Sequence, residues 1–148
     1  MTKIISVCTS EKKGTRKSPV GQGVFETGVG LVGDAHAAGD AVREVSLLAV
    51  ESINKMNSGE VTFKPGDFAE NLTTSGMDLP SLPVGTRLQI GKEVILEVTQ
   101  IGKKCHTGCA VFKEVGKCIM PKEGIFARVL RGGIVRPDDV LAVMPPAD

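Results

Sequence analysis

The residues of this chain best suited to chemistry are its four cysteines, Cys8, Cys105, Cys109 and Cys118. Cys105 has the most unusual surroundings, because Lys103, Lys104 and His106 flank it. Nearby positive charge favours the thiolate, which is the form that attacks electrophiles and binds soft metals. A free cysteine is often a small buried hydrophobe, but these polar neighbours favour a functional thiol. We therefore predict reactive-thiol chemistry at Cys105.

A structural zinc site is the alternative for the same region. Cys105 and Cys109 are within the usual spacing of zinc ligands, and Cys118 and His106 would complete a four-ligand set. Against zinc, His106 is adjacent to Cys105 and would point elsewhere, and no second closely spaced ligand pair exists. Cys109, Cys118 and Cys8 each have apolar neighbours, so we expect these three to be buried.

Two polar, glycine-marked segments, residues 33–36 and 65–71, could surround Cys105. In an extended stretch Asp34 and His36 project from the same side, so Asp34 could orient His36 for acid–base work or ligation. A satisfied turn is the other interpretation, because Gly-Asp is common turn chemistry. Residues 65–67 have the same two interpretations, and Glu70 and Asn71 could be turn-stabilising side chains.

Several cationic residues are candidates for binding an anion. Arg43, Arg128 and Arg131 could each hold one with paired hydrogen bonds, although each could instead be a surface ion-pair partner. The polar stretch 9–19 is basic, with Lys12, Lys13, Arg16 and Lys17. We interpret this stretch as a solvated loop, and a rim that steers anions is the alternative.

The elements that would position these residues are mainly short strands. The sequence predicts strands at residues 3–7, 44–48, 86–90, 94–98, 125–130 and 140–144, and one broken at its glycines over 22–32. The clearest hairpin turns at Gly91-Lys92. Helical spacing predicts short helices at 49–56 and 107–115. Many strands with few helices favour a mainly-β barrel or sandwich.

Length, charge and composition limit the class of protein. The 148 residues fit a single domain spanning residues 1–148. A net charge of +1 and few aromatic residues argue against a nucleic-acid partner. The N-terminal apolar run is too short for a signal peptide, and no stretch is long enough to span a membrane. We therefore expect a cytoplasmic protein whose thiols stay reduced.

Read in order, several segments resemble the MOSC domain, named for the C-terminal domain of molybdenum cofactor sulfurases. The matching segments are 33–36, 43–48, 65–73, 82–85, 90–91, 96–99 and Cys105, and the tail 118–129 looks like a small stand-alone bacterial branch. The resemblance implies a compact mainly-β barrel with a few short helices. It also implies a molybdenum cofactor (molybdopterin), for which Cys105 would be the catalytic thiol, as a molybdenum ligand or a carrier of transferable sulfur.

The resemblance also assigns roles to the surrounding residues. Lys103, Lys104 and His106 would tune the pKa of Cys105, and the arginines would hold the anionic end of the cofactor. The cofactor-binding residues expected in this way are Asp34, His36, Arg43, Asp67, Asn71, Lys104, His106, Arg128 and Arg131.

This chain departs from its larger relatives in ways that imply partners. It has no room for the pyridoxal-phosphate domain of the sulfurases, so a separate cysteine desulfurase or cofactor-biosynthesis protein would supply sulfur. The alternative function, a molybdenum-dependent reductase of N-hydroxylated compounds, would need a separate electron donor. A zinc-stabilised structural or accessory protein is the third alternative. Near the C-terminal end, relatives usually have Gly-Asp where this chain has Asp138-Asp139. Exposed hairpin edges would allow a dimer.

Overall fold

The computed structural model describes residues 2–10, 17–34, 44–55, 62–68, 70–101 and 123–144. Within these ranges the protein is mainly β, as expected. The strands are β1 (Lys3–Thr9), β2 (Ser18–Val20), β3 (Gly23–Glu26), β4 (Gly30–Leu31), β5 (Val45–Ala49), β6 (Leu72–Ser75), β7 (Arg87–Ile90), β8 (Val94–Ile101), β9 (Ile125–Arg131), β10 (Gly133–Val135) and β11 (Leu141–Val143). One α-helix, α1 (Val50–Lys55), and a 3-10 turn (Leu79–Ser81) complete the described elements.

The strands form two sheets, and the larger one is open. Its eight strands follow the order β11-β7-β8-β9-β5-β6-β1-β2, and β10-β3-β4 form a smaller sheet. Among the described strand pairs, β5 and β6 are parallel and the others antiparallel. No ladder of the described residues joins β11 to β1; an isolated bridge between Lys3 and Val140 and a few backbone hydrogen bonds connect the two regions. The expected closed barrel was therefore too strong a description of a mainly-β fold.

One row of apolar residues crosses the larger sheet. The register aligns Ile125 with Leu47, Leu47 with Leu72, and Leu72 with Val7. These four side chains are fully buried and belong to the main hydrophobic core. Because paired residues on neighbouring strands point to the same face, the row fixes how the central strands are aligned.

The predicted hairpin about Gly91 is confirmed. β7 and β8 pair from Arg87 opposite Glu97 to Ile90 opposite Val94. Gly91 has a φ of 61°, a left-handed conformation that suits glycine in a tight hairpin turn. Buried and partly exposed residues alternate along both strands, which is the pattern that made this hairpin readable in the sequence.

Two other predicted elements are refined by the structure. The broken strand expected over 22–32 is a hairpin, in which β3 and β4 pair through Phe25 and Leu31. The helix expected over 49–56 is α1, with Ser52 and Ile53 on its buried side. No described helix is long and apolar enough to cross a membrane.

The turn before β11 has an unusual conformation. Asp138 has a φ of 75°, and it is the one non-glycine residue with positive φ among those described. The turn therefore keeps the conformation that glycine adopts most readily. Asp138 also pairs with Lys3, whose Nζ lies 3.2 Å from Asp138 Oδ1, at an exposed site.

Candidate functional site

A buried ion pair between Lys17 and Asp34 lies beside the first predicted segment. Lys17 Nζ is 2.7 Å from Asp34 Oδ1, and the two side chains are 0 % and 1 % exposed. Lys17 Nζ also donates a hydrogen bond to Ser10 Oγ (3.0 Å). The Ser10 N–H donates one to Asp34 Oδ1 (3.1 Å). We call Ser10, Lys17 and Asp34 the Lys17 cluster.

The Lys17 cluster corrects the interpretation of the basic stretch 9–19 at one position. A solvated loop was expected there, but Lys17 is buried. A lysine can be buried when its charge is paired and its protons are hydrogen-bonded, and Asp34 and Ser10 provide both. Sequence analysis missed this role because Asp34 lies 17 residues away in the chain and no local pattern connects the two.

The turn at residues 64–68 packs directly on Lys17. The Lys17 N–H donates a hydrogen bond to the Gly66 carbonyl (2.8 Å). Gly66 has a φ of 92°, and a Cβ at this position would overlap the Lys17 carbonyl oxygen. Asp67 Oδ2 accepts a hydrogen bond from the Lys64 N–H (2.9 Å). The turn interpretation of 65–67 is therefore confirmed, and the turn requires glycine at its centre.

Glu70 holds this turn from inside the protein. Its Oε2 accepts hydrogen bonds from the Gly66 N–H (2.9 Å) and from Thr73 Oγ1 (2.7 Å). Its Oε1 is buried and has no hydrogen-bond partner among the residues that the structure describes. Burial raises the pKa of the Glu70 carboxyl to about 7, and the hydrogen bonds only partly oppose that rise. The expected turn-stabilising role is confirmed, and the carboxyl titrates near neutrality.

Asn71 joins β5 and β1, the two strands that flank β6, through its side chain. Its Oδ1 accepts hydrogen bonds from the Ser46 N–H (3.0 Å) and Ser46 Oγ (3.2 Å). Its Nδ2 donates to the Cys8 carbonyl (3.2 Å). Both ends of the amide are thus engaged between β5 and β1, which favours a structural role for Asn71 over direct contact with a cofactor.

Cys8 is buried, as its apolar neighbours indicated. Burial is the main cause that raises the pKa of its thiol to about 11. Ser6 Oγ lies 3.4 Å from Cys8 Sγ, and a hydrogen bond between them opposes the rise only in part. Cys8 is therefore a neutral, inert thiol at physiological pH.

The two described arginines of the predicted set lie on β9, outside these contacts. Arg128 binds Glu97 through Nε (2.7 Å) and through its terminal nitrogen (2.7 Å), and its side chain is half exposed. Arg131 ends β9 and is exposed. The surface ion-pair interpretation of Arg128 is therefore the one that its contacts support.

Two further carboxylates, missed in the sequence, lie beside segments with predicted site residues. Glu44 is buried, and its Oε1 accepts a hydrogen bond from the Val129 N–H (2.9 Å). Glu123 Oε1 accepts hydrogen bonds from Ser52 Oγ (2.8 Å) and Lys55 Nζ (2.8 Å). Their partners are 85 and 71 residues away in the chain, so no sequence spacing reveals these anchors.

The remaining predicted site residues lie outside the described part of the chain, and so does the predicted helix 107–115. They are His36, Arg43, Lys104, Cys105 and His106, with the other possible zinc ligands Cys109 and Cys118. Within the described ranges, no group of three or more His, Cys, Asp or Glu side chains could hold a metal ion. What the structure does bring together is Asp34 and the 64–68 turn, through Lys17.

This arrangement is a hydrogen-bonded polar frame. It contains a paired lysine, a paired aspartate and a carboxyl that can hold a proton near neutral pH. Its described side chains bind one another. We therefore expect them to position chain segments and not to react with a ligand.

Comparison with solved structures identifies relatives of this fold. YiiM from Geobacillus stearothermophilus is 19 % identical with a TM-score of 0.77, over 98 % of this chain and 76 % of that chain. The YuaD protein from Bacillus subtilis is 20 % identical with a TM-score of 0.77, over 95 % and 94 %. YiiM from Escherichia coli is 20 % identical with a TM-score of 0.70, over 99 % and 71 %. At these identities the likeness shows the fold alone.

Sequence comparison is more specific. No curated protein gives a significant match. The model of the MOSC domain matches residues 34–142. These matches give no support to a link with pyridoxal phosphate. Because the family match spans well over half of the sequence, the chain belongs to the MOSC domain family.

Proposed function

We propose that this protein binds the molybdenum cofactor, or a precursor of it, and presents Cys105 as a molybdenum ligand or sulfur carrier. The observation that carries the proposal is the MOSC match over residues 34–142, a range that includes Cys105. The family is associated with molybdenum-cofactor binding. Cys105 is also the cysteine whose sequence neighbours favour a thiolate.

The state of Cys8 supports this choice of thiol. A pKa of about 11 keeps Cys8 protonated at neutral pH, and only a thiolate acts as a nucleophile or a ligand for a soft metal. Thiolate chemistry in this chain therefore depends on Cys105, Cys109 or Cys118. Of these three, Cys105 has two lysines and a histidine as immediate neighbours.

In this proposal the described residues serve as a frame that positions the segments of the site. Lys17 and Arg128 are both engaged by carboxylates, so the phosphate of molybdopterin would be held by Arg43, Lys104 and Arg131. When bound, the molybdenum centre would supply a thiophilic ion for the Cys105 thiolate. Asp34, held by Lys17, would then fix the start of the segment that carries Arg43.

Anaerobic purification followed by molybdenum analysis and pterin fluorescence tests the proposal. We expect wild-type protein to retain molybdenum and pterin in equal amounts. Cys105→Ser should weaken binding by about tenfold or more, because a hydroxyl is a poor ligand for a thiophilic metal. The matched control is Cys8→Ala, which removes an inert thiol and should retain the cofactor.

Other results would point to other functions. A Cys105→Ser variant that binds cofactor as tightly as wild type would refute the role assigned to Cys105. Stoichiometric zinc, with loss of the fold on chelation, would establish the structural alternative. Turnover of a hydroxylamine-type substrate with an artificial reductant would show a reductase.

A further inference from the structure

Lys17 contacts three separate parts of the chain. Its ammonium binds Asp34 Oδ1 at 2.7 Å and Ser10 Oγ at 3.0 Å. Its backbone N–H binds the Gly66 carbonyl at 2.8 Å, and its own carbonyl occupies the space that a side chain at position 66 would need. One residue therefore fixes Ser10, Asp34 and Gly66 relative to each other.

An ion pair this deeply buried is a poor means of stabilising a fold. Removing two charges from water offsets most of their attraction, and apolar pairs of similar volume are often at least as stable. What a buried pair adds is geometric restriction, because displacing either partner leaves an uncompensated charge. The Lys17–Asp34 pair thus restricts movement at the points where it is attached.

Those points are the ends of two segments. Residues 35–43 carry predicted site residues, and residues 11–16 belong to the basic stretch whose alternative interpretation is a rim that steers anions. Ser10 and Lys17 flank residues 11–16, which contain three cationic side chains. Asp34 precedes residues 35–43, which contain His36 and Arg43. The far end of residues 35–43 is also fixed, because the buried Glu44 binds the Val129 N–H.

We propose that Lys17 and Asp34 are positioning residues of the cofactor site, which fix the ends of residues 11–16 and 35–43 and do not touch the cofactor. This inference rests on the proposed function and deepens it. Lys17 Nζ and the Ser10 N–H both bind Asp34 Oδ1, and the side chain is 1 % exposed, which argues against direct contact between Asp34 and a ligand. Lys17, which sequence analysis did not place in the site, becomes as important to it as Asp34.

A pair of variants separates positioning from simple stability. Lys17→Met leaves Asp34 buried without its cation and should shift the urea midpoint strongly downward. The double variant Lys17→Met with Asp34→Asn removes both charges and should recover most of that shift. The matched control is Lys3→Met with Asp138→Asn, which removes an exposed ion pair elsewhere.

Two measurements on the folded full-length double variant test whether Lys17 and Asp34 position the cofactor site. Cofactor affinity should stay about tenfold or more below wild type, the size typical of residues that orient a site without touching the ligand. Amide hydrogen exchange in peptides covering residues 9–17 and 33–44 should be faster than in wild type, without cofactor present. The control double variant should match wild type in both.

The proposal fails if the double variant recovers stability and binds cofactor like wild type. It also fails if affinity drops while exchange in these peptides is unchanged, since that result would make Asp34 a direct ligand-binding residue. If wild-type protein binds no cofactor, the proposed function fails, and with it the link between the pair and a cofactor. Exchange then tests the remaining part of the inference, that the pair fixes the ends of residues 11–16 and 35–43: faster exchange upholds that part and unchanged exchange ends it.

Ser10→Ala provides the test if the double variant does not fold. It removes the hydroxyl that receives one Lys17 hydrogen bond and leaves the ion pair intact. We expect faster exchange over residues 9–17 and a cofactor affinity lowered by about threefold or more, as for loss of a single orienting hydrogen bond. Ser18→Ala, on exposed β2, is its control, and equal behaviour of the two variants would overturn the proposal.

Discussion

Two ion pairs with the same separation lie in very different parts of this molecule. Lys17 and Asp34 are 2.7 Å apart and essentially without solvent exposure. Arg128 and Glu97 are also 2.7 Å apart, but their side chains are 50 % and 25 % exposed. The first pair joins segments that are 17 residues apart in the chain, while the second lies across neighbouring strands of a regular sheet.

The difference shows that distance alone does not measure the importance of an ion pair. Water screens the Arg128–Glu97 pair and solvates either partner if the other is lost, so such pairs contribute about 0–1 kcal/mol. Lys17 and Asp34 are almost fully buried, so water would solvate either charge poorly if the other were lost. The buried pair therefore constrains the structure more than its net stabilisation suggests.

The sharpest test of this comparison is Lys17→Met. We expect the free energy of unfolding to fall by about 3–5 kcal/mol, because the variant leaves a buried carboxylate without a cation. Urea-induced unfolding at pH 7 measures the change. A loss under about 1 kcal/mol would mean that the buried pair behaves like an exposed one.

Glu70→Gln extends the comparison to a buried carboxyl without a cationic partner. The folded-state pKa of Glu70 is raised from 4.5 to about 7, so the folded protein binds this proton more tightly than the unfolded chain. Its contribution to stability is present below pH 4.5 and is lost as pH rises through about 7. The loss is about 3 kcal/mol in wild type and should be absent from the variant.

Urea-induced unfolding of both proteins from pH 4 to pH 9 checks this expectation. The Glu70→Gln variant should gain stability relative to wild type as pH rises, since glutamine carries no charge at any pH. Parallel stability–pH curves for the two proteins would show that Glu70 titrates normally.

Asp138 separates the effect of an exposed charge from that of backbone conformation. Asp138→Ala and Asp138→Gly both remove the pairing with Lys3, but only alanine is strained at a φ of 75°. We expect the alanine variant to be about 1 kcal/mol less stable than the glycine variant. Equal thermal midpoints would mean that conformation at this turn is unimportant.

The smallest effect is expected at the exposed pair itself. Arg128→Ala and Glu97→Ala should each lower stability by less than about 1 kcal/mol. The coupling free energy between Arg128 and Glu97, measured with the double variant, should decrease as salt is added, because salt screens exposed charges. Coupling of several kcal/mol would remove the distinction between the two pairs.

The sequence predicted best where structure depends on local pattern. The hairpin of β7 and β8 was readable because alternation and Gly91 both lie within a few residues. Glu70 was expected to stabilise a turn, and it does so four residues from Gly66. Its raised pKa was not readable, because the burial that causes it depends on the packing of the whole sheet.

The candidate site was readable only in part, because its contacts are non-local. Asp34 was singled out from its turn motif, but its partner Lys17 lay in a stretch whose composition indicates solvation. Asn71 was expected near a cofactor, whereas its amide joins strands that are far apart in sequence. The assignment of Cys105 remains a prediction from its neighbours and from family membership.

The contact between the start of β1 and the residues before β11 bears on how the chain folds during synthesis. Ile4 receives a hydrogen bond from Asp138, and its own N–H binds the Asp139 carbonyl. The Leu141 N–H likewise binds the Thr2 carbonyl. β1 therefore lacks these hydrogen bonds until nearly all of this sequence has left the ribosome. Until then, the unpaired backbone groups of β1 can pair with the wrong strand of another nascent chain.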